Sequence, residues 1–371
     1  MDFEFSADQE ALRQTVARFL SAEAPLRPYV RGMLDDATGT TAAVWQGLAD
    51  LGAFGLLVPE AFGGLGLGMV DAGVVLEEMG RLVHPGPFLS SAIGAANAVV
   101  LAGDSADQAR YLPGLAAGTT VGTVAVLEEG SRGGWRHPTT TARPTHGGWE
   151  LTGVKAPVAD AGAADLALVV AGASGDVGLF AVERGAAGVI VEGLPTVDGT
   201  RRWGRLRLDG APARRLGAPA GAAEAIAAVV DRLLVAIVTD AVGAAEAALQ
   251  IAVTYAKERL QFGKPIGSFQ AVQHLCADML QAVEQARAGA YYGLWACDAA
   301  TAEERRRAAT MAKAFAGDAL AGVGATAIQV LGGIGFTWEH DAHLFYKRLL
   351  TVQTAYGSTA EHLEALAALV L

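Results

Sequence analysis

Apolar side chains recur at helical spacing from residue 6 to residue 22, with Leu12, Val16, Phe19 and Leu20 on one face. Ser6, followed by Gln9, has the form of a capping box that opens the helix. The same period predicts helices over 41–52, 69–82, 88–102 and 105–117, the last with a stop at Pro113-Gly114 and the first followed by a turn-rich connection, Leu56 to Gly66. Beyond about residue 120 the texture changes. Val121–Val126, Trp149–Thr152, Leu166–Val170, Gly178–Val182 and Trp203–Leu208 are short apolar segments divided by Gly, Pro, Asp and Thr. Such spacing predicts strands of a small barrel or sandwich. Helical periodicity returns near Ala222 and predicts long segments over 222–259, 268–299, 303–331 and 341–348, with a last one from about 359. Antiparallel helices of this length pack as a bundle. The expected fold is α+β and multidomain: an N-terminal helical domain (1–118), a middle β-barrel or sandwich domain (119–220) and a C-terminal four-helix bundle (221–371).

At 371 residues, 52% hydrophobic and 18% charged, the chain can bury several cores. Its 47 glycines fit either close backbone packing or a biased coding sequence. A net charge of −11 argues against a nucleic-acid partner, although local cations can still hold an anionic ligand. Cys276 and Cys297 fall on predicted helices without metal-ligand spacing, as expected of reduced thiols in a cytoplasmic protein. The first ten residues are acidic and lack the form of a signal peptide. No uninterrupted apolar run reaches membrane length: Val229–Val238 is broken by Asp231 and Arg232 and stops at Asp240. No membrane insertion is expected.

Two motifs carry the chemistry. Arg259 and Phe262 end a long helix before the stop Gly263-Lys-Pro265. Such an arginine either complements the helix dipole or forks onto a pyrophosphate while the ring covers a nucleotide. Gln329-Val-Leu-Gly-Gly333 either ends a helix or brings bare backbone amides to an anion. The pair Arg259-Leu-Gln-Phe-Gly-Lys-Pro-Ile-Gly-Ser-Phe-Gln270 and Gln329-Val-Leu-Gly-Gly-Ile-Gly-Phe336, in an α, β, α order, resembles the acyl-CoA dehydrogenase family of flavoproteins. The resemblance covers nearly the whole chain. It implies FAD as cofactor, oxidoreductase chemistry in lipid metabolism, and a homo- or hetero-oligomer, dimer or tetramer. It further implies that Arg259 and Phe262 hold the ADP half of an FAD bound mainly by the neighbouring subunit. Phe269 and Gln270 match the same wall, Gln329, Gly332 and Gly333 the approach to the pyrophosphate, and Ser358 the family's threonine in the tail.

The chain departs from the family elsewhere. The segment expected to line the flavin and substrate reads Val126-Leu-Glu-Glu-Gly-Ser-Arg-Gly-Gly134, with Leu127 for threonine and no proline; its alternative is a surface hairpin. The second flavin-facing segment reads Lys155-Ala-Pro-Val-Ala-Asp160, its usual tryptophan and threonine replaced by Pro157 and Ala159. The proton-abstracting glutamate falls on Tyr356, and its second family location on Leu233. The arginine that contacts CoA falls on Leu234, with Arg232 nearby, while Asp231 matches a family aspartate and is a candidate substrate-binding residue. Asp240, two turns beyond Leu233, is the candidate acid, the alternative being a paired helix acid. Asp341 is expected to cap a helix; His340 and His343 lack a third ligand, so no metal site is expected. The expected activity is α,β-dehydrogenation of an acyl-CoA or related acyl thioester within an oligomer. The alternatives are a non-catalytic partner subunit of a heteromeric dehydrogenase, or a flavin enzyme acting on a non-CoA substrate.

Overall fold

The computed structural model describes residues 5–130 and 135–371. The start of the acidic N-terminus (1–4) and part of the first flavin-facing segment (131–134) lie outside the described residues.

Helix α1 (Ala7–Glu23) opens with the expected capping box: the Gln9 amide donates to Ser6 Oγ at 3.1 Å and the Ser6 amide to Gln9 Oε1 at 3.0 Å. Then follow α2 (Ala42–Asp50), α3 (Met69–Arg81), α4 (Ala96–Ala102, entered through a π-wound turn over Leu89–Ala95) and α5 (Ser105–Ala116). Pro113 does not stop α5, which continues to Ala116 with the proline inside it. Helix α3 is buried along most of its length because it lies between α1 and the first long helix of the C-terminal bundle.

Strands β1 (Gly122–Ala125), β2 (Thr141–Thr145), β3 (Gly148–Ala159), β4 (Leu166–Ala173), β5 (Asp176–Glu183), β6 (Val189–Leu194) and β7 (Trp203–Arg215) follow. The pairings β4–β2, β2–β3, β3–β7, β7–β5 and β5–β4 return to their start, closing a barrel. β1 adds parallel to β4, and β6 antiparallel to β7. Leu151, Val158, Val169, Phe180, Leu206 and Leu208 fill the interior. The β3–β7 register shifts between Lys155 and Val158, within the second segment expected to face the flavin. Such a bulge re-aims the side chains that follow it.

The C-terminal helices are α6 (Ala222–Glu258), α7 (Gln270–Ala299), α8 (Ala302–Leu331), α9 (Ala342–Thr354) and α10 (Thr359–Val370). α9 runs six residues past its expected end at 348. Arg305 on α8 bonds Asp231 on α6, and Ile328 packs with Ile251 and Tyr255, so α6 and α8 run parallel and end side by side. The expectation of no membrane-length segment needs one correction. By length and composition, the helical stretch Ala302–Phe336 is apolar enough to span a bilayer; 50% of its apolar window is buried, and α8 packs against α6, α7 and α9.

Candidate functional site

The tail turn Ala355–Ser358 lies where barrel and bundle meet. Tyr356 occupies the left-handed region (φ 56°), and Gly357 follows at φ 111°. Two buried side chains hold the turn by its carbonyls: His362 Nε2 lies 3.0 Å from Tyr356 O, and Lys313 Nζ donates to Gly357 O at 2.8 Å. Burial lowers Lys313 to about 8, and burial with the nearby Lys313 lowers His362 to about 4. His362 is therefore neutral at physiological pH, so the imidazole fits as donor to the carbonyl.

Tyr356 borders two spaces. An open cleft of about 260 Å³ is lined by Leu127 and Arg136 from the barrel, Asp231 and Leu234 from α6, Arg306 from α8, and Gly357 with His362 from the tail. A small pocket of about 20 Å³ lies beside Leu89, Asp160, Trp203, Ile237 and Arg348. The Tyr356 ring meets Trp203 edge-on with centroids 6.0 Å apart. Burial, with a smaller contribution from Asp160, pushes its phenol above the ordinary range, so it is a poor proton acceptor at neutral pH.

Asp240 does not face this cavity. Its carboxylate accepts from Arg348 Nη1 at 2.8 and 3.1 Å and from Arg201 at 2.8 Å. Burial alone would raise its pKa, but the two guanidinium groups outweigh it and hold the group below the usual carboxylate range. A buried carboxylate clamped in this way is a structural acid. Arg348, which no motif singles out, is its counterpart and joins all three parts of the chain. It donates to Asp198 at 2.9 Å and Thr200 Oγ1 at 2.6 Å in the barrel, and to the Val83 and His84 carbonyls at 3.1 and 3.3 Å in the N-terminal region.

Asp231 lines the cleft, but its carboxylate is taken by Arg305 at 2.9 Å, with Arg306 at 3.6 Å. Arg232 turns away to the Cys297 carbonyl at 2.5 Å. The cation expected on α6 is thus replaced at the cleft by Arg306 and Arg136. Among the described residues no carboxylate pairs with Arg136, which stacks over Trp135 at 4.5 Å. In the first flavin-facing segment, Glu128 is buried and accepts from Lys155 Nζ at 2.6 Å, Thr139 N at 2.6 Å and Thr140 N at 2.9 Å. Burial opposes ionisation, yet these bonds hold Glu128 at about 2. The ion pair ties together the two segments expected to face the flavin. Asp341 does not cap α9; it pairs with Arg27 at 2.7 Å and Arg31 at 2.5 Å.

The candidate cofactor wall lies at the shared end of α6 and α8. The Arg259 amide donates to Tyr255 O, and its carbonyl accepts from Ile266, both at 2.8 Å, which closes the loop carrying Phe262. Phe262 sits at φ 54° with 91% of its surface exposed and meets Phe269 edge-on at 6.1 Å. Tyr255 packs on Ile328 and Leu331, which places the loop beside Gln329, Gly332 and Gly333. Gly332 has φ 64°, and a Cβ on Gly333 would meet nothing within 4 Å. Among the described residues Arg259 has no ion pair, and the side-chain amides of Gln270 and Gln329 have no hydrogen bond. A free guanidinium, two free amides, an exposed ring and bare glycine backbone form a donor set that fits a dinucleotide's pyrophosphate and base. Ser358 stands apart at the start of α10, where its hydroxyl accepts from the Glu361 amide at 3.3 Å. Phe336, the last residue of the second motif, and Trp338 were assigned no role from the sequence; they follow the glycines and are 77% and 63% exposed.

Comparisons with known proteins agree with this architecture. The acyl-CoA dehydrogenase N-terminal domain family matches residues 6–119, and the C-terminal domain family residues 225–371. Acyl-CoA dehydrogenase IpdE2 of Mycolicibacterium smegmatis is 32% identical over 364 residues, covering 98% of this chain and 99% of its own. FadE34 of Mycobacterium tuberculosis is also 32% identical, over 99% of this chain, which spans about half (48%) of that longer protein. The ChsE4-ChsE5 complex of Mycobacterium tuberculosis superimposes with a TM-score of 0.90 at 27% identity, over 99% of this chain and 98% of that one. This chain belongs to the acyl-CoA dehydrogenase family, an FAD-dependent class of oxidoreductases.

Proposed function

We propose that the chain is a cytoplasmic subunit of an oligomeric acyl-thioester α,β-dehydrogenase, and that it lends the wall at the end of α6 and α8 to an FAD carried by a neighbouring subunit. The observation that carries this reading is the uncommitted donor set of Arg259, Gln270 and Gln329 beside the exposed Phe262. Among the described residues these groups have no ion-pair or hydrogen-bond partner, whereas a cofactor reaching in from a second copy would use all of them. When bound, FAD supplies the acceptor for the hydride leaving the acyl β-carbon. The chain's own residues orient the substrate: the thioester enters the cleft beside Leu127 and Leu234, and Arg136 and Arg306 face its anionic end.

A second reading, in which the chain supports a catalytic partner and turns over nothing itself, is favoured by Tyr356 at the base position and by the small volume, about 20 Å³, of the pocket beside it. The two readings separate in an anaerobic titration of the flavin-loaded protein with a series of acyl-CoA thioesters, alone and with a co-expressed partner subunit. Bleaching of the flavin by the chain alone supports its own turnover, and bleaching only in the pair supports the partner role. A flavin that no acyl-CoA bleaches in either preparation would overturn both.

A further inference from the structure

The carboxylates around Tyr356 differ in how they are committed. Asp240 is clamped by two arginines, Asp231 by Arg305 and Arg306, and Glu128 by Lys155. Asp160 has no ion pair among the described residues, and it lines the pocket that Tyr356 borders. It follows Ala159 directly, at the end of the bulged segment on β3, and its backbone lies in the left-handed region at φ 51°. Aspartate tolerates that conformation better than most residues, and backbone outliers collect at functional sites.

Its one side-chain partner among the described residues suits a proton acceptor. Ser90 Oγ lies 2.7 Å from Asp160 Oδ2 and 3.0 Å from the Pro87 carbonyl. A hydroxyl has one proton. When Asp160 is ionised, Ser90 donates to it. When Asp160 is protonated, it donates to Ser90, whose own proton turns to Pro87. Rotation of one hydroxyl therefore satisfies both charge states, while Oδ1 keeps no hydrogen bond among the described residues. Burial pushes the carboxyl up to about 6, against the pull of Arg201, Arg202 and Arg348. That places it in the range a general base needs near neutral pH.

We propose that Asp160 is the catalytic base of this chain, taking the α-proton of the acyl thioester in place of the glutamate that the family carries at the position of Tyr356. The idea rests on the dehydrogenase reading above. The proton passes from the acyl Cα to Asp160 Oδ1. The electron pair of the broken C–H bond would form the α,β double bond, with the flavin, when bound, supplying the acceptor for the β-hydride. The Tyr356 ring borders both the cleft and the pocket, and its hydroxyl makes no hydrogen bond among the described residues, so the ring must swing aside to let the acyl chain reach Asp160.

The test follows α-hydrogen exchange in heavy water by mass spectrometry, using the flavin-loaded chain and whichever of butyryl-CoA, octanoyl-CoA and a ring-bearing acyl-CoA binds it most tightly. Asp160→Asn keeps the shape and should slow exchange, counted per bound flavin, by about 10²–10⁴-fold. Ser90→Ala removes the bond that favours the ionised carboxyl, so the pH midpoint of exchange should move upward. A purely structural Asp160 would leave that midpoint unmoved. The proposal is overturned if the wild-type chain binds the thioester without exchanging it, if Asp160→Asn exchanges at the wild-type rate, or if Ser90→Ala leaves the midpoint in place. None of these outcomes touches the cofactor wall, which flavin content reports separately.

Discussion

Arg348 and Asp240 show how far the meaning of a charged residue depends on what folds around it. Along α6, Asp240 reads as an acid that could face a cavity or, more often, as a paired or capped helix acid, because spacing fixes the face and not the partner. Its partners, Arg201 and Arg348, lie 39 and 108 residues away. Asp160 was invisible for a similar reason: it ends a segment whose family signature is worn, and only the closed barrel turns it toward Tyr356. Arg348→Ala would leave Asp198 buried without a counter-charge and Asp240 held by Arg201 alone. We expect a loss of about 3–5 kcal/mol, read as a lower urea midpoint at unchanged slope. The clamped acids also predict an acid limit. Glu128 sits at about 2 in the folded protein against an ordinary 4.5, and Asp240 is likewise lowered from 3.8. Groups that ionise more readily when folded add stability above their unfolded pKa and lose it as pH falls toward the folded value. Unfolding free energy should therefore decline from about pH 4.5 downward, and Glu128→Gln should flatten part of that decline.

At the scale of elements, the long helices were legible because a 3.6-residue period persists through noise, and the capping box at Ser6 fixed one start. Strands β2 and β6 were not legible. β2 holds Arg143 and Pro144 and buries only Ala142, and β6 has no buried residue, so neither shows the alternation that marks a half-buried strand. The abundance of glycine had two readings, and the crossing of α3 and α6 decides it locally. A Cβ on Gly243 would strike the Glu77 carbonyl, and one on Gly80 the Asp240 carbonyl, so the helices touch backbone to backbone there. Gly243→Ala should gain helix propensity and still lose stability, by about 1–3 kcal/mol or more, because rigid backbone blocks the added carbon. Gly322→Ala on α8, where a Cβ meets nothing within 4 Å, is the control and should be neutral or stabilising. Thermal unfolding of the two variants side by side checks the contrast.

For the molecule as a whole, the three-part architecture was readable from the periodicity of the chain, whereas the residues proposed for the cofactor wall were named through the family resemblance of the two motifs. What the motifs could not show is that α6 and α8 end together, leaving Arg259, Phe262, Gln329 and the glycines on one uncovered face. That face implies a second chain, so flavin retention and oligomeric state should fall together on dilution. The most direct test is the visible flavin absorption of the purified protein, wild type and Arg259→Ala, alone and co-expressed with a partner subunit, with oligomeric state measured in parallel. Losing a charge-assisted contact of about 1.5–3 kcal/mol, the variant should shed flavin at dilutions where the wild-type oligomer keeps it. A monomer that holds a full complement of flavin, or an Arg259→Ala protein that retains flavin as tightly as wild type, would contradict the account.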